Sequence, residues 1–173
     1  SVILHKNKLP WLVFADIVAP LLILGYGIGR IGCFLVGDDY GVPTSLPWGL
    51  SFPNGLPPST TRVFELYYPW IDVSSYEPGL LKVHPTQIYE SLICILIFIF
   101  LYKFRKRFKN IGSLFFIYLI LAGIERFSIE FIRTNEKYFL DIFSGAQIIS
   151  FFMIVIGISF LLKPLNTINV KSE

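Results

Sequence analysis

Four apolar stretches of near-membrane length alternate with polar segments along the chain. Crossing the hydrocarbon core as a helix takes about 20 largely apolar residues, so each stretch predicts one span. The first covers 12–34 and is rich in glycine near its end, at Gly25, Gly27, Gly29 and Gly32. The second covers 86–102 around LICILIFIFLY. The third, 112–133, begins as SLFFIYLILAG and then turns charged, while the fourth, 142–162, carries no charge. Between the first two lies a connection over 37–84 that holds most of the prolines, together with PNG and PP turn signals and several Trp and Tyr residues. TRVFELYY within it predicts a short strand. The expected fold is an all-α integral membrane bundle of about four transmembrane helices, one domain over 1–173, with a long Pro-rich extracytoplasmic arm. A loop of that length commonly covers a site.

Composition supports this reading. Mean hydropathy is +0.63. Only 16% of residues are charged, against roughly 25% in soluble proteins. The net charge of +3 is mild, which leaves no case for a nucleic-acid partner. Lys103, Arg105, Lys106, Arg107 and Lys109 form the densest basic cluster, between the second and third spans. The positive-inside rule makes that loop cytoplasmic. Four spans then put both ends in the cytoplasm, where His5, Lys6, Lys8, Lys163 and Lys171 lie, and put 37–84 and 134–141 outside. Cys33 and Cys94 both sit in apolar runs, so neither a disulfide framework nor a metal site is expected. The chain opens on Ser1 with no signal-peptide pattern, which predicts a fragment or a chain trimmed at its start.

Charges inside apolar helices are costly and face protein or a wet cavity. In ERFSIEFIR, Arg126, Glu130 and Arg133 follow i, i+4, i+7 spacing and so share a helix face. An ion-paired ladder locking helices is one reading. Two arginines beside one carboxylate also leave positive charge in excess, which suits a phosphate. The first span closes with GYGIGRIGCFLVGDDYG, whose glycines permit close packing and whose Arg30 lies near Asp38, Asp39 and Tyr40 at the outer mouth. Asp16 lies nearer the cytoplasmic end, where a solvated side chain is the competing reading. HPTQIYES leads into the second span, with Pro85 and Thr86 suiting a helix start and Gln87 and Glu90 at the outer membrane level. His84 is either a base or a hydrogen-bonded structural group. Cys33 is either inert packing or a thiol tuned by Arg30 three residues away. The three charged clusters converge on the outer half of the membrane.

On these residues the chain resembles the prolipoprotein diacylglyceryl transferase family. Gly29-Arg30-Ile31-Gly32-Cys33-Phe34 through Gly37-Asp38 to Gly41 resembles its G-R-x-G-N-F-x-N-x-E-x-x-G signature. The preceding ADIVAPLLILGYGIGR, the HPTQIYE and ERFSIEFIR runs, and SGAQIIS at the last helix resemble further family landmarks in the same order. Cys33 stands where the signature has Asn, and Asp38 where it has Glu.

The resemblance implies a multi-pass protein of the bacterial plasma (inner) membrane. Its activity would transfer diacylglyceryl from phosphatidylglycerol to the lipobox cysteine of a prolipoprotein, with release of glycerol phosphate and no cofactor. Its partners would be those two substrates and membrane lipid. It implies that Arg30, Arg126, Asp38 and Glu130 act in catalysis. Tyr26, Gly41, His84, Gln87, Glu90 and Arg133 would join Arg30 in binding substrate. It also implies that this chain is the C-terminal part of a seven-span enzyme, with a His-containing segment upstream. A non-catalytic homologue that binds anionic phospholipid or a membrane partner is the alternative. A small transporter is a third class, which the absence of a polar path through the fourth span disfavours.

Overall fold

The computed structural model describes residues 10–108, 110–136 and 143–162. The expectations attached to His5, Lys6, Lys8, Lys109, Lys163 and Lys171 lie outside these residues, as does most of the 134–141 loop. The chain forms α1 (Trp11–Val36), α2 (Thr61–Tyr67), α3 (Thr86–Phe104), α4 (Ser113–Ile129) and α5 (Gly145–Leu162), with a single 3₁₀ turn at Glu130–Ile132 after α4. Among the described residues strand pairing is limited to isolated bridges. Three helices, α1, α3 and α5, are long and apolar enough to cross a membrane. α4 is shorter, at 17 residues, and carries Glu125 and Arg126 in its last turn and a half.

The helices pack most extensively as two pairs, α4 with α5 and α1 with α3. Close approach in the second pair depends on Gly27, where an added Cβ would lie 2.8 Å from Cys94 Cβ. Gly25, Gly29 and Gly32 have no described neighbour within 4 Å of such a Cβ, so of the four glycines of α1 only Gly27 serves this packing. α3 shows how one stripe serves two purposes. Its buried positions are Thr86, Gln87, Glu90, Ser91, Cys94, Ile97 and Leu101, polar near the N-terminus and apolar below. The apolar half joins Ile23, Leu114 and Ala122 in the core of the bundle. The polar half holds the charged cluster.

In the bundle, the starts of α4 and α5 are fixed by side chains. Asp16 of α1 accepts hydrogen bonds from the backbone N–H of Gly112 (2.6 Å) and Phe115 (2.8 Å), capping α4 across the bundle. The expectation of a solvated carboxylate gives way to this cap, which no local spacing could reveal. Asp16→Ala should cost about 1–2 kcal/mol, read as a lower thermal midpoint in detergent with the secondary structure intact. At α5, Ser144 N–H donates to Gln147 Oε1 (3.0 Å) and Gln147 N–H to Ser144 Oγ (3.3 Å), a reciprocal capping box. The SGAQ run is therefore a helix start in its own right.

The segment between α1 and α3 has its own small core of Tyr40, Phe64, Val73, Leu81 and Val83. The strand expected at TRVFELYY is instead α2. Thr60 caps it by accepting from Val63 N–H at 3.4 Å, and Thr61 and Phe64 bury themselves at helical spacing. Backbone pairing of Pro43 and Leu50 with Val83 draws both ends of the segment together above α3. The continuous helix expected over 112–133 also ends early. Val42 N–H takes the carbonyl of Ile132 (2.9 Å) and Gly41 bridges Arg133, so the chain leaves the helix after Ile129 and is extended at Arg133.

Candidate functional site

Glu90 is the hub of the charged cluster. It is fully buried one turn into α3, and it binds residues of three other segments. Arg30 Nη2 of α1 donates to its Oε1 at 2.9 Å, and Arg133 Nη1 donates to the same oxygen at 3.2 Å. Tyr26 Oη, one turn before Arg30, donates to Oε2 at 2.6 Å. Arg30 Nε also lies 2.9 Å from Oε2, an ion-pair contact whose N–H is not aligned for a hydrogen bond. Arg126 Nη1 of α4 stands further off, 3.8 Å from Oε2.

A second carboxylate ties the cluster to the loop after α1. Asp39 bridges Arg30 Nη1 and Arg133 Nη2, both at 2.8 Å. Gly37 ends α1 with φ of 74°, the left-handed conformation that glycine adopts without strain, and its N–H returns to the Cys33 and Phe34 carbonyls. Asp39 follows at φ of 56°, a conformation that Asp tolerates better than most residues. Partial burial raises the proton affinity of Asp39. The guanidiniums of Arg30 and Arg133 outweigh it, leaving the carboxyl below its ordinary value. A lowered folded-state value means that the bridge stabilises the fold above the ordinary carboxylate range and fades as pH falls through the lowered value. Asp39→Asn should therefore lower the thermal midpoint at neutral pH, and the gap from wild type should close on acidification.

Loop placement uses the HPTQ run. Gln87 Nε2 donates to the Asp38 carbonyl, Thr86 Oγ1 donates to the Asp39 carbonyl at 2.9 Å, and Gly41 N–H donates to the His84 carbonyl at 2.8 Å. Gly41 passes so close to the Ile132 carbonyl and the Thr86 side chain that a Cβ would collide with both. Gln87 and Gly41 thus meet the cluster through the backbone they hold. The carboxylate expected at Asp38 does not reach it, because its Oδ1 is buried without a hydrogen-bond partner and Asp39 takes the bridging place. His84 sits to one side, with Nδ1 3.4 Å from Tyr89 Oη, and burial pushes its imidazole below the ordinary value.

Glu130 accepts from Asn135 Nδ2 at 2.7 Å and lies 3.5 Å from Arg126. The positive excess expected from Arg126, Glu130 and Arg133 is therefore not what the fold assembles. Three guanidiniums, counting Arg30, face three carboxylates, Asp39, Glu90 and Glu130. They differ in how firmly they are held. The side chains of Arg30 and Arg133 are 7% and 6% exposed, whereas that of Arg126 is 28% exposed and makes no described polar contact shorter than 3.5 Å. Arg126 is the guanidinium open to a ligand. It lines a cleft of about 430 Å³ with Tyr26, Arg30, Asp39, Glu125 and Arg133, whose floor is apolar at Ile23, Ala122 and Met153. Polar donors above an apolar floor suit an anionic amphiphile. Cys33, Asp38 and Asp39 come within metal-ligand distance of one another. Arg30 Nη1 already lies against Asp39 and 3.5 Å from Cys33 Sγ, so the positive charge there belongs to the protein.

Asp39, which the sequence places near Arg30 without a role of its own, takes the bridging place that the signature spacing assigns to Asp38. Glu125 stands off the i, i+4 ladder and so is not among the sequence's candidates, although a charge within LAGIERF is itself a signal.

A sequence model of the prolipoprotein diacylglyceryl transferase family matches residues 1–163. A phosphatidylglycerol–prolipoprotein diacylglyceryl transferase of Clostridium tetani is 36% identical over 160 residues, covering 91% of this chain and 57% of that protein. One from Finegoldia magna is 34% identical, covering 99% of this chain and 58% of that protein. One from Oceanobacillus iheyensis is 35% identical, covering 95% and 53%. The chain thus spans little more than half the length of these curated relatives.

Proposed function

The chain belongs to the prolipoprotein diacylglyceryl transferase family, and from that premise we propose that it serves the transfer of a diacylglyceryl group from phosphatidylglycerol to the lipobox cysteine thiol of a prolipoprotein. The observation that carries the reading is the Arg126 guanidinium, open above an apolar floor and backed by two arginines that Glu90 and Asp39 hold in place. Lipid phosphate docks on Arg126, with Tyr26 and Arg30 beside it and the acyl chains toward Ile23 and Met153. When the thiol displaces the phosphate ester, negative charge builds on the leaving glycerol phosphate, and fixed guanidiniums stabilise that charge more than the ground state. Glu130 steers Arg126. Asp38, Gly41, His84 and Gln87 shape the loop that closes the cleft from above.

The proposed setting is the bacterial plasma membrane. α4 joins α1, α3 and α5 as a fourth span, its short apolar length continued by the 3₁₀ turn. The Lys103, Arg105, Lys106 and Arg107 loop lies in the cytoplasm with both ends of the chain, and 37–84 lies outside. The cleft then opens on the outer side, where a lipobox peptide arrives.

The test is mass gain on a lipobox peptide incubated with the full-length protein in phosphatidylglycerol vesicles. A thioether-linked diacylglyceryl adduct is the expected product. Its absence, with a known family member active beside it, refutes the reading. Lipid binding without transfer is the outcome that Cys33 favours, since it stands at the signature Asn position against Arg30.

A further inference from the structure

One carboxylate in the cleft stands outside the ion-pair network. Glu125, next to Arg126 on α4, is 5% exposed, and its Oε1 is shut off from solvent with no hydrogen-bond partner among the described residues. The carboxylates paired directly with arginines are engaged. Both oxygens of Glu90 face guanidiniums or Tyr26, both of Asp39 face arginines, and Glu130 accepts from Asn135 through Oε1 while its Oε2, without a hydrogen bond, lies 3.5 Å from the Arg126 guanidinium. A carboxylate oxygen that already accepts charge-assisted hydrogen bonds is a poor proton acceptor, because protonation must break them. Glu125 has no such bond to lose. A carboxylate beside Ala122 on an apolar helix is also expensive if it serves packing alone, where leucine would serve better.

We propose that Glu125 is the general base that takes the proton from the substrate cysteine thiol. This rests on the transfer reading of the same cleft. The S–H proton passes to Glu125, and the thiolate sulfur attacks the diacylglyceryl carbon bonded to the phosphate oxygen. The S–C bond forms as that C–O bond breaks, and its electron pair leaves on the phosphate oxygen beside Arg126. Glu125 then passes its proton to the departing glycerol phosphate, which returns the carboxylate to its starting form. No further reactant is needed.

The charged and titratable groups facing Glu125 are Tyr26 and Arg30 from α1, Glu90 and Cys94 from α3, Tyr118 and Arg126 on its own helix, and Asp39 and Arg133 above. From α5 the cleft receives Met153, which does not titrate. Any loss of rate on acidification that depends on Glu125 must vanish when its carboxyl is removed.

The experiment measures kcat and KM of the full-length protein with phosphatidylglycerol vesicles and a lipobox peptide across about pH 5 to 9. Glu125→Gln should lower kcat by about 100-fold or more with KM for the lipid unchanged, and the rate, no longer set by a carboxyl, should climb with pH toward the ordinary thiol pKa of about 8.5. A kcat within about threefold of wild type overturns the proposal. So does a raised KM at normal kcat, which would make Glu125 a head-group contact. Should E125Q fail to accumulate in the membrane, Glu125→Asp decides. Reduced kcat at unchanged KM supports the base, and wild-type kcat overturns it. A wild type that binds the vesicles but transfers nothing overturns both this proposal and the transfer reading, whereas an active wild type with an equally active E125Q overturns this one alone.

Discussion

Glu90→Ala is expected to cost the protein about 3–5 kcal/mol, the usual range when one member of a buried charge network is deleted. Arg30 and Arg133, both almost fully buried, would lose a partner at 2.9 and 3.2 Å, and Tyr26 Oη would lose its 2.6 Å acceptor. Asp39 cannot replace Glu90, because its two oxygens already serve the same two arginines. The variant should show a sharply lower thermal midpoint and accumulate poorly. Glu90→Gln should fall between, because the amide oxygen still accepts one hydrogen bond but no longer neutralises a charge. Equal midpoints for wild type and E90A would show that the cluster does not hold the bundle together.

Arg126→Ala is expected to have the opposite profile, with little effect on folding and a loss of about 10²–10³-fold in transfer rate. The guanidinium is the most exposed of the three arginines, and its contacts with Tyr26, Glu90 and Glu130 are all 3.5 Å or longer. Removing it leaves Glu90 with its shorter bonds to Arg30, Arg133 and Tyr26. Arg126→Lys keeps the charge and loses the planar pair of donors, so it should recover only part of the rate. The contrast between these two substitutions separates what builds the site from what the site does. Steady-state transfer rates set beside thermal midpoints for E90A and R126A check it.

Three of the four expected membrane-length helices and the charged cluster were legible because they depend on local composition and on short spacings. Arg30, Glu90, Arg126, Glu130 and Arg133 do come together, as helix entrances with costly charges suggested. What was not legible depends on contacts distant in sequence. Asp16 caps a helix that starts about a hundred residues later, and neither end carries a local sign of it. The break after Ile129 comes from pairing with Gly41 and Val42, so the i, i+4, i+7 ladder stops short of Arg133 even though Arg133 still reaches Glu90. TRVFELYY has strand-forming residues, but its burial period and the Thr60 cap are helical. The choice between Asp38 and Asp39 turned on two left-handed residues, Gly37 and Asp39, which redirect the chain after the helix end.

The central claim is that Arg126 presents its guanidinium to the phosphate of an anionic lipid while a thiol attacks the neighbouring carbon. The most direct measurement is the mass shift of a lipobox peptide after incubation with phosphatidylglycerol vesicles and full-length protein, wild type against Arg126→Ala at matched folded amounts. A diacylglyceryl adduct that forms with wild type, and at least about 100-fold more slowly with R126A, is the result predicted. An adduct formed equally fast by R126A would contradict the account.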